Sequence, residues 1–108
     1  VLPSEMTLDC HQRLMGFRDV YGRMSWDAPS PTITNGCVNP SKGRFLHPNQ
    51  NRAITVFEAS LLQSFPKTYK FLTKYGRYPN AEMIGNALPP KFAQKLSSYI
   101  AGILKNLG

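Results

Sequence analysis

The sequence predicts an α+β chain: a small, loop-rich β unit, then one short helix, then a long C-terminal amphipathic helix. Three observations carry this reading. Turn-forming residues crowd the first half of the chain, a capping-box tetrapeptide stands at 55–58, and apolar residues recur at helical spacing from Phe92 onward. In the first half, Pro29, Pro31, Gly36, Pro40, Gly43 and Pro48 separate short β-branched or aromatic runs. Candidate strands are 19–26, 32–34 and 44–47, each too short and too polar for a large sheet.

The texture changes at Thr55. In Thr55-Val56-Phe57-Glu58 the hydroxyl and the carboxylate can satisfy first-turn N–H groups reciprocally. Ala59, Leu62 and Phe65 then recur at helical spacing, Leu61 widens that face, and Pro66 is expected to end the helix. The stretch 67–83 is basic and aromatic without periodicity, and reads as an irregular connection with little core of its own.

The stretch MIGNALPPKF (83–92) places two prolines ahead of the apolar stripe. Proline lacks an N–H and fixes φ, so it belongs in the first turn of a helix. Asn86 is the expected N-cap, and Gly85 lets the chain turn sharply and lets a ligand approach the backbone. Phe92, Leu96, Tyr99, Ile100, Ile103, Leu104 and Leu107 form one face of the helix that follows. Lys91, Gln94, Lys95, Ser98 and Lys105 take the other side, with Gly108 as the C-cap. Little apolar surface upstream is available to cover that stripe.

At 108 residues, 42% hydrophobic and 18% charged, the chain has the composition of one globular domain or a domain with an appendage. No apolar run approaches the roughly 18 residues of a membrane span, so a soluble protein without a membrane partner is expected. VLPSEMTLDC lacks the basic and apolar regions of a secretory signal, and the missing initiator Met points to a piece of a longer chain. Cys10 and Cys37 fit no CxxC spacing and are expected to be free thiols. With His11 and His47 they match no zinc-ligand pattern, so no metal is expected.

Thirteen Lys+Arg against six Asp+Glu give a net charge of +7. Across 28–81 the only acid is Glu58, whereas Lys42, Arg44, Arg52, Lys67, Lys70, Lys74 and Arg77 all fall in that span. A polyanion is the natural partner of such a stretch, although a merely solvated basic face has the same composition.

Three blocks in order give the chain a resemblance. YGRMSWDAPSPTIT (21–34) looks like the end of a target-recognition region. GRFLHPNQNRAITVFEASLLQSFPKTYKF (43–71) is similar to a block commonly written R-x-L-T-x-R-E-x-A-x-L-Q-x-F-P, and IGNALPP (84–90) to the block that follows it. Together they resemble the C-terminal region of bacterial DNA (cytosine-5)-methyltransferases, including the family's ninth and tenth conserved blocks.

The resemblance implies a target-recognition unit over 1–71, a connection over 72–83, and a helix over 84–108 that returns to the family's Rossmann-like cofactor domain. Asn86, Ala87 and Leu88 would edge the S-adenosylmethionine pocket, and the apolar stripe would pack on that domain's sheet. In this family the target cytosine is flipped, a thiolate adds at C6, a carboxyl group assists at N3 and C5 takes the methyl group. The Pro-Cys-Gln, Glu-Asn-Val and Gly-rich blocks behind that chemistry do not occur in the sequence, so it offers no catalytic residue. What remains is the reading half, with double-stranded DNA as the implied partner. Arg18, Arg23, Thr32, Ile33, Asn35, Lys42 and Arg44 are the candidate DNA contacts, arginine suiting guanine's edge and Lys or Thr suiting phosphate.

Two positions depart from the family pattern: Phe57 stands for the usual Arg before Glu58, and Lys67 for the usual acid after Phe65-Pro66. The resemblance also implies a cytoplasmic, DNA-associated bacterial protein. A stand-alone DNA-binding module, or the small subunit of a split methyltransferase, fits the same residues.

Overall fold

The computed structural model describes residues 19–108. Among these residues three α-helices follow one another: α1 (Val56–Leu62), α2 (Arg77–Asn86) and α3 (Pro90–Leu107), with short 3-10 turns at Pro40–Lys42 and Thr73–Tyr75. The core is small: Ile33, Cys37, Val38, Phe45, Ile54, Ala59, Ala81 and Ile84 are buried together, with Met24, Val56, Phe65 and Phe71 packed against them.

The stretch before α1 is a wrapped loop held by few backbone pairs. The segment at Leu46 lies between two others, pairing in parallel fashion with Arg23 and antiparallel with Ala53. Met24 N donates to Leu46 O (3.0 Å) and Leu46 N to Gly22 O (3.1 Å), while Ile54 N donates to Phe45 O (2.9 Å). The expected strands 19–26 and 44–47 therefore do meet, but each pairing is one residue long and no continuous strand forms among the described residues. Segment 32–34 pairs with nothing in that ladder; Ile33 enters the core, and Thr34 O accepts Cys37 N (3.1 Å) to start a turn.

The capping box at α1 forms as the sequence predicts, with Glu58 N donating to Thr55 Oγ1 (3.1 Å) and Thr55 N to Glu58 Oε2 (2.8 Å). The helix ends three residues earlier than Pro66 requires. Ser64 adopts φ 65°, its N–H bonds to Leu61 O (2.9 Å), and Phe65 N bonds to Ser60 O (2.9 Å). This is a Schellman ending with serine at the left-handed position that usually favours glycine.

The largest departure lies at 77–90. The expected irregular connection contains α2, and Asn86 is the last residue of that helix, not the N-cap of the next. Pro79 occupies the first turn, where a missing N–H costs nothing, and Asn80 Nδ2 secures the start by donating to Gly76 O (2.9 Å) and Leu72 O (3.1 Å). Ala81 and Ile84 are fully buried, so tertiary packing holds a helix whose sequence has no apolar stripe. Two prolines hold the break open, each disfavouring helical geometry in the residue before it, Leu88 and Pro89. Ala87 (ψ 140°) and Pro89 (ψ 125°) are extended, and α3 starts at Pro90.

α3 packs on no other helix among the described residues, and Phe92, Tyr99, Leu104 and Leu107 are more than half exposed. No helix among these residues is long and apolar enough to cross a membrane.

Candidate functional site

All three motif blocks converge on the α2–α3 turn. Gly85 packs directly on the backbone of Thr34 and Asn35, so closely that a Cβ would collide with Asn35 N and the Thr34 carbonyl carbon. The close approach expected of Gly85 is therefore made by the chain's own turn at Thr34–Asn35. From the other side, Gln63, the C-cap of α1, donates through Nε2 to Ile84 O (3.1 Å) and Ala87 O (3.3 Å). Its neighbour Ser64 accepts the N–H of Lys91 at 3.1 Å, supplying to α3 the cap that Pro89 cannot. One corner of α1 thus closes the end of one helix and the start of the next.

This clamp presents Asn86 and Leu88 to solvent and leaves Ala87 half-buried between them. An open cavity of about 640 Å³ lies here, lined by Tyr75, Pro79, Glu82, Met83, Asn86 and Ala87. Its lining combines a carboxylate that accepts, a primary amide that both donates and accepts, and apolar surface. That chemistry suits one edge of a ligand carrying a positive centre together with polar groups, and the open mouth means that other contacts must come from elsewhere.

The candidate DNA contacts are distributed unevenly. Arg18 lies outside the described residues. Arg23 is exposed but its guanidinium is occupied: Nη1 donates to His47 O and to Gln50 O (2.6 Å), and Nη2 donates to Asn51 Oδ1 (2.8 Å). It orders the 47–51 loop. Ile33 is in the core, 6% exposed, which withdraws its side chain from any surface. Thr32, Asn35, Lys42 and Arg44 are exposed; the stem of Lys42 rests on Gly36 and that of Arg44 on Gly22. Gly85 therefore sets the backbone of Asn35 and, through it, the turn beneath Lys42.

A second polar cluster braces the same loop. Trp26 Nε1 donates to Asn49 Oδ1 (2.9 Å), its ring meets His47 edge-on at 5.7 Å, and His47 Nδ1 accepts the N–H groups of Asn49 (3.2 Å) and Gln50 (3.1 Å). Arg52 forms a two-pronged pair with Glu58, both bonds 2.8 Å. Those bonds, with the Thr55 N–H and hydroxyl, hold the Glu58 carboxyl down to about 2. So acidic a group remains ionised and is no general acid. The Arg52 pair also gives Glu58 a cationic partner although Phe57 occupies the position of the family's second arginine.

The sign of the pH dependence follows. A depressed carboxyl contributes stability that is present above its unfolded value of about 4.3 and is lost as pH falls toward 2. Arg52→Gln removes the largest cause of the depression. The variant is expected to unfold at lower urea than wild type at pH 7, with the difference closing as pH falls from about 4.3 to 2. A difference that persists at pH 2 would show that Arg52 acts by packing alone.

Cys37 is fully buried and free, and burial pushes its thiol up, which marks a core residue and no nucleophile. Cys10 lies outside the described residues. No cluster among the described residues could hold a metal ion. Sequence reasoning missed Gln63, Ser64 and Arg52 as positioning residues. All three lie inside the quoted second block, but nothing in their spacing tells that the first two reach Ala87 and Lys91.

The family model for C-5 cytosine-specific DNA methylase matches residues 5–102. The chain is similar to the type II methylase M.HgiDII of Herpetosiphon aurantiacus, with 40% identity over 110 residues that cover 97% of this chain and 31% of that protein. It is also similar to the type II methyltransferase M1.BsuMI of Bacillus subtilis (40% identity; 91% of this chain, 23% of that protein). Similarity extends to DNA (cytosine-5)-methyltransferase 1 of Mus musculus (37% identity; 75% and 5%). The chain thus spans less than a third of the relatives it matches. With a matching model that takes in all three blocks and the turn on which they converge, the chain belongs to the C-5 cytosine-specific DNA methylase family.

Proposed function

We propose that this chain is the target-recognition and cofactor-edge part of a DNA (cytosine-5)-methyltransferase. When bound, S-adenosylmethionine supplies the methyl group for C5 of cytosine in a duplex target. Residues 1–71 serve as the recognition unit, loop-built where it is described, α2 links it to the return segment, and 84–108 completes a Rossmann-like cofactor domain carried by other segments. The observation that carries this reading is the clamp: Gly85 on Thr34–Asn35 and Gln63 on Ile84 and Ala87 join the 34–35 turn and the Asn86 turn at one junction. The stripe of α3, uncovered among the described residues, supports it, since a helix with one apolar face needs another surface to cover it.

In this assignment Asn86 offers its amide to cofactor, Leu88 an apolar contact, and Ala87 leaves room for both. Thr32, Asn35, Lys42 and Arg44 face DNA, and Arg23 acts by ordering the loop beside them. Cofactor binding to this chain alone should be undetectable by calorimetry, because one edge of a pocket supplies few contacts.

Asn86 caps no helix and its side chain is exposed, so Asn86→Ala has little stability to lose. In the enzyme reconstituted with its catalytic segments, Asn86→Ala is expected to weaken S-adenosylmethionine binding about tenfold, equivalent to the loss of one hydrogen bond of about 1.4 kcal/mol. Duplex affinity should stay within twofold. Normal cofactor affinity with weakened DNA binding would move this turn to the recognition surface.

A further inference from the structure

Beyond the turn and its recognition loop, the positive charge of this chain is concentrated elsewhere. No acid occurs between Glu58 and Glu82, while Lys67, Lys70, Lys74 and Arg77 fall in that interval. All four are exposed, and none forms an ion pair among the described residues. This contrasts with Arg23 and Arg52, whose guanidinium groups are engaged inside the fold.

The strip is not a floppy tail. Phe65, Tyr69 and Phe71 form an aromatic cluster with ring centroids 4.9 to 5.7 Å apart, which fixes the loop after α1 to the body of the chain. Lys74 Nζ lies 4.9 Å from the Tyr75 ring centre and the Arg77 guanidinium 5.0 Å from that of Tyr78, so two cationic heads are held by their neighbours. Tyr69, Tyr75 and Tyr78 are each half exposed, offering flat apolar faces between the charges. The start of α2 adds to the same potential, with neither a side-chain cap nor an acid in its first turn.

We propose that the strip 67–78 is a phosphate track: its four cations lie along the backbone of duplex DNA, without reading bases, while the surface around Asn35 and Lys42 faces the target. Lysine is a point charge that suits phosphate oxygens, and contacts of this kind set register and affinity. The rings of Tyr75 and Tyr78 hold two of the four cations in place, which favours a rigid, regularly charged partner. The proposal rests on the reading of this chain as a DNA-recognition unit.

The test is anisotropy of a labelled duplex titrated with the whole chain at salt concentrations from about 50 to 200 mM. Replacing Lys67, Lys70, Lys74 and Arg77 together by glutamine should make the slope of log K against log salt shallower by about 3 to 4, at roughly 0.9 per phosphate contact. Replacing Lys91, Lys95 and Lys105 on α3 should leave the slope unchanged. A variant with arginine at 67, 70 and 74 should keep the wild-type slope, separating charge from folding. An unchanged slope in the glutamine variant, or a slope reduced equally per charge by the α3 variant, would overturn the track. Failure of the wild-type chain to bind duplex even at the lowest salt would instead overturn its role as a recognition unit.

Discussion

Gly85→Ala is expected to destabilise the chain by about 2 kcal/mol or more, against the usual direction of such a change. In a helix interior alanine is favoured over glycine by roughly 1 kcal/mol, which alone would stabilise α2. At Gly85 the new methyl meets the backbone of Thr34 and Asn35, not the end of a flexible side chain. Overpacking of that kind costs about 1–3 kcal/mol with ordinary side-chain neighbours, and backbone yields less readily. Gly102, in the middle of α3 with nothing within 4 Å of the point a Cβ would occupy, is the internal comparison. Gly102→Ala should raise stability by up to about 1 kcal/mol. Urea unfolding measures both, read as opposite shifts of midpoint at constant m. A midpoint for Gly85→Ala at or above wild type would mean that the Thr34–Asn35 turn does not sit on α2.

Gln63→Glu keeps the shape of the side chain and replaces the N–H donor by a charged oxygen. The carboxylate then faces Ile84 O and Ala87 O, the two acceptors Gln63 now satisfies. Ala87 O then loses this donor while Ile84 O keeps the N–H of Ala87; an acceptor left unpaired where it is shielded from water costs about 1–3 kcal/mol, and the repulsion adds to it. The expected result is faster amide exchange at Ala87, whose N–H bonds to Ile84 O at 3.2 Å, and at Lys91, which Ser64 caps. Protonating the new carboxyl should restore part of the protection, because a neutral acid can donate one bond. Protection unaffected at both amides would show that the prolines alone hold the turn. Arg52→Gln should leave these two amides unchanged, since its pair with Glu58 lies at the other end of α1.

The helices α1 and α3 are legible in the sequence for different reasons. A capping box is a local device, and Thr55 with Glu58 carries all of it. The α3 stripe is periodic from Phe92 to Leu107 and needs no partner to be recognised. α2 is illegible because no local rule produces it: Pro79, Asn80, Gly85 and Asn86 are poor helix formers, and the helix is held by Ala81 and Ile84 in the core and by Asn80 across its start. Without α2, local rules move Asn86 from the end of one helix to the start of the next. The pairing around Leu46 is half legible, since the runs containing Arg23 and Leu46 have strand character but the segment at Ala53 has none. At the site, the motif blocks contain the residues but not their contacts. Gly85 needs Thr34 beneath it and Gln63 needs Ala87 above it, and sequence separations of this length carry no geometric signature.

The most direct measurement is nucleoside mass spectrometry of duplex DNA incubated with S-adenosylmethionine and one of three samples: this chain alone, the segments bearing the family's Pro-Cys-Gln and Glu-Asn-Val blocks alone, and the two joined. 5-Methylcytosine is expected only from the joined polypeptide, at a restricted set of sites, and Gln63→Glu should reduce its yield. Full-rate methylation by the catalytic segments without this chain, or a methylated base other than 5-methylcytosine from the joined polypeptide, would contradict the assignment of this chain as the recognition and cofactor-edge part of a cytosine-5 methyltransferase.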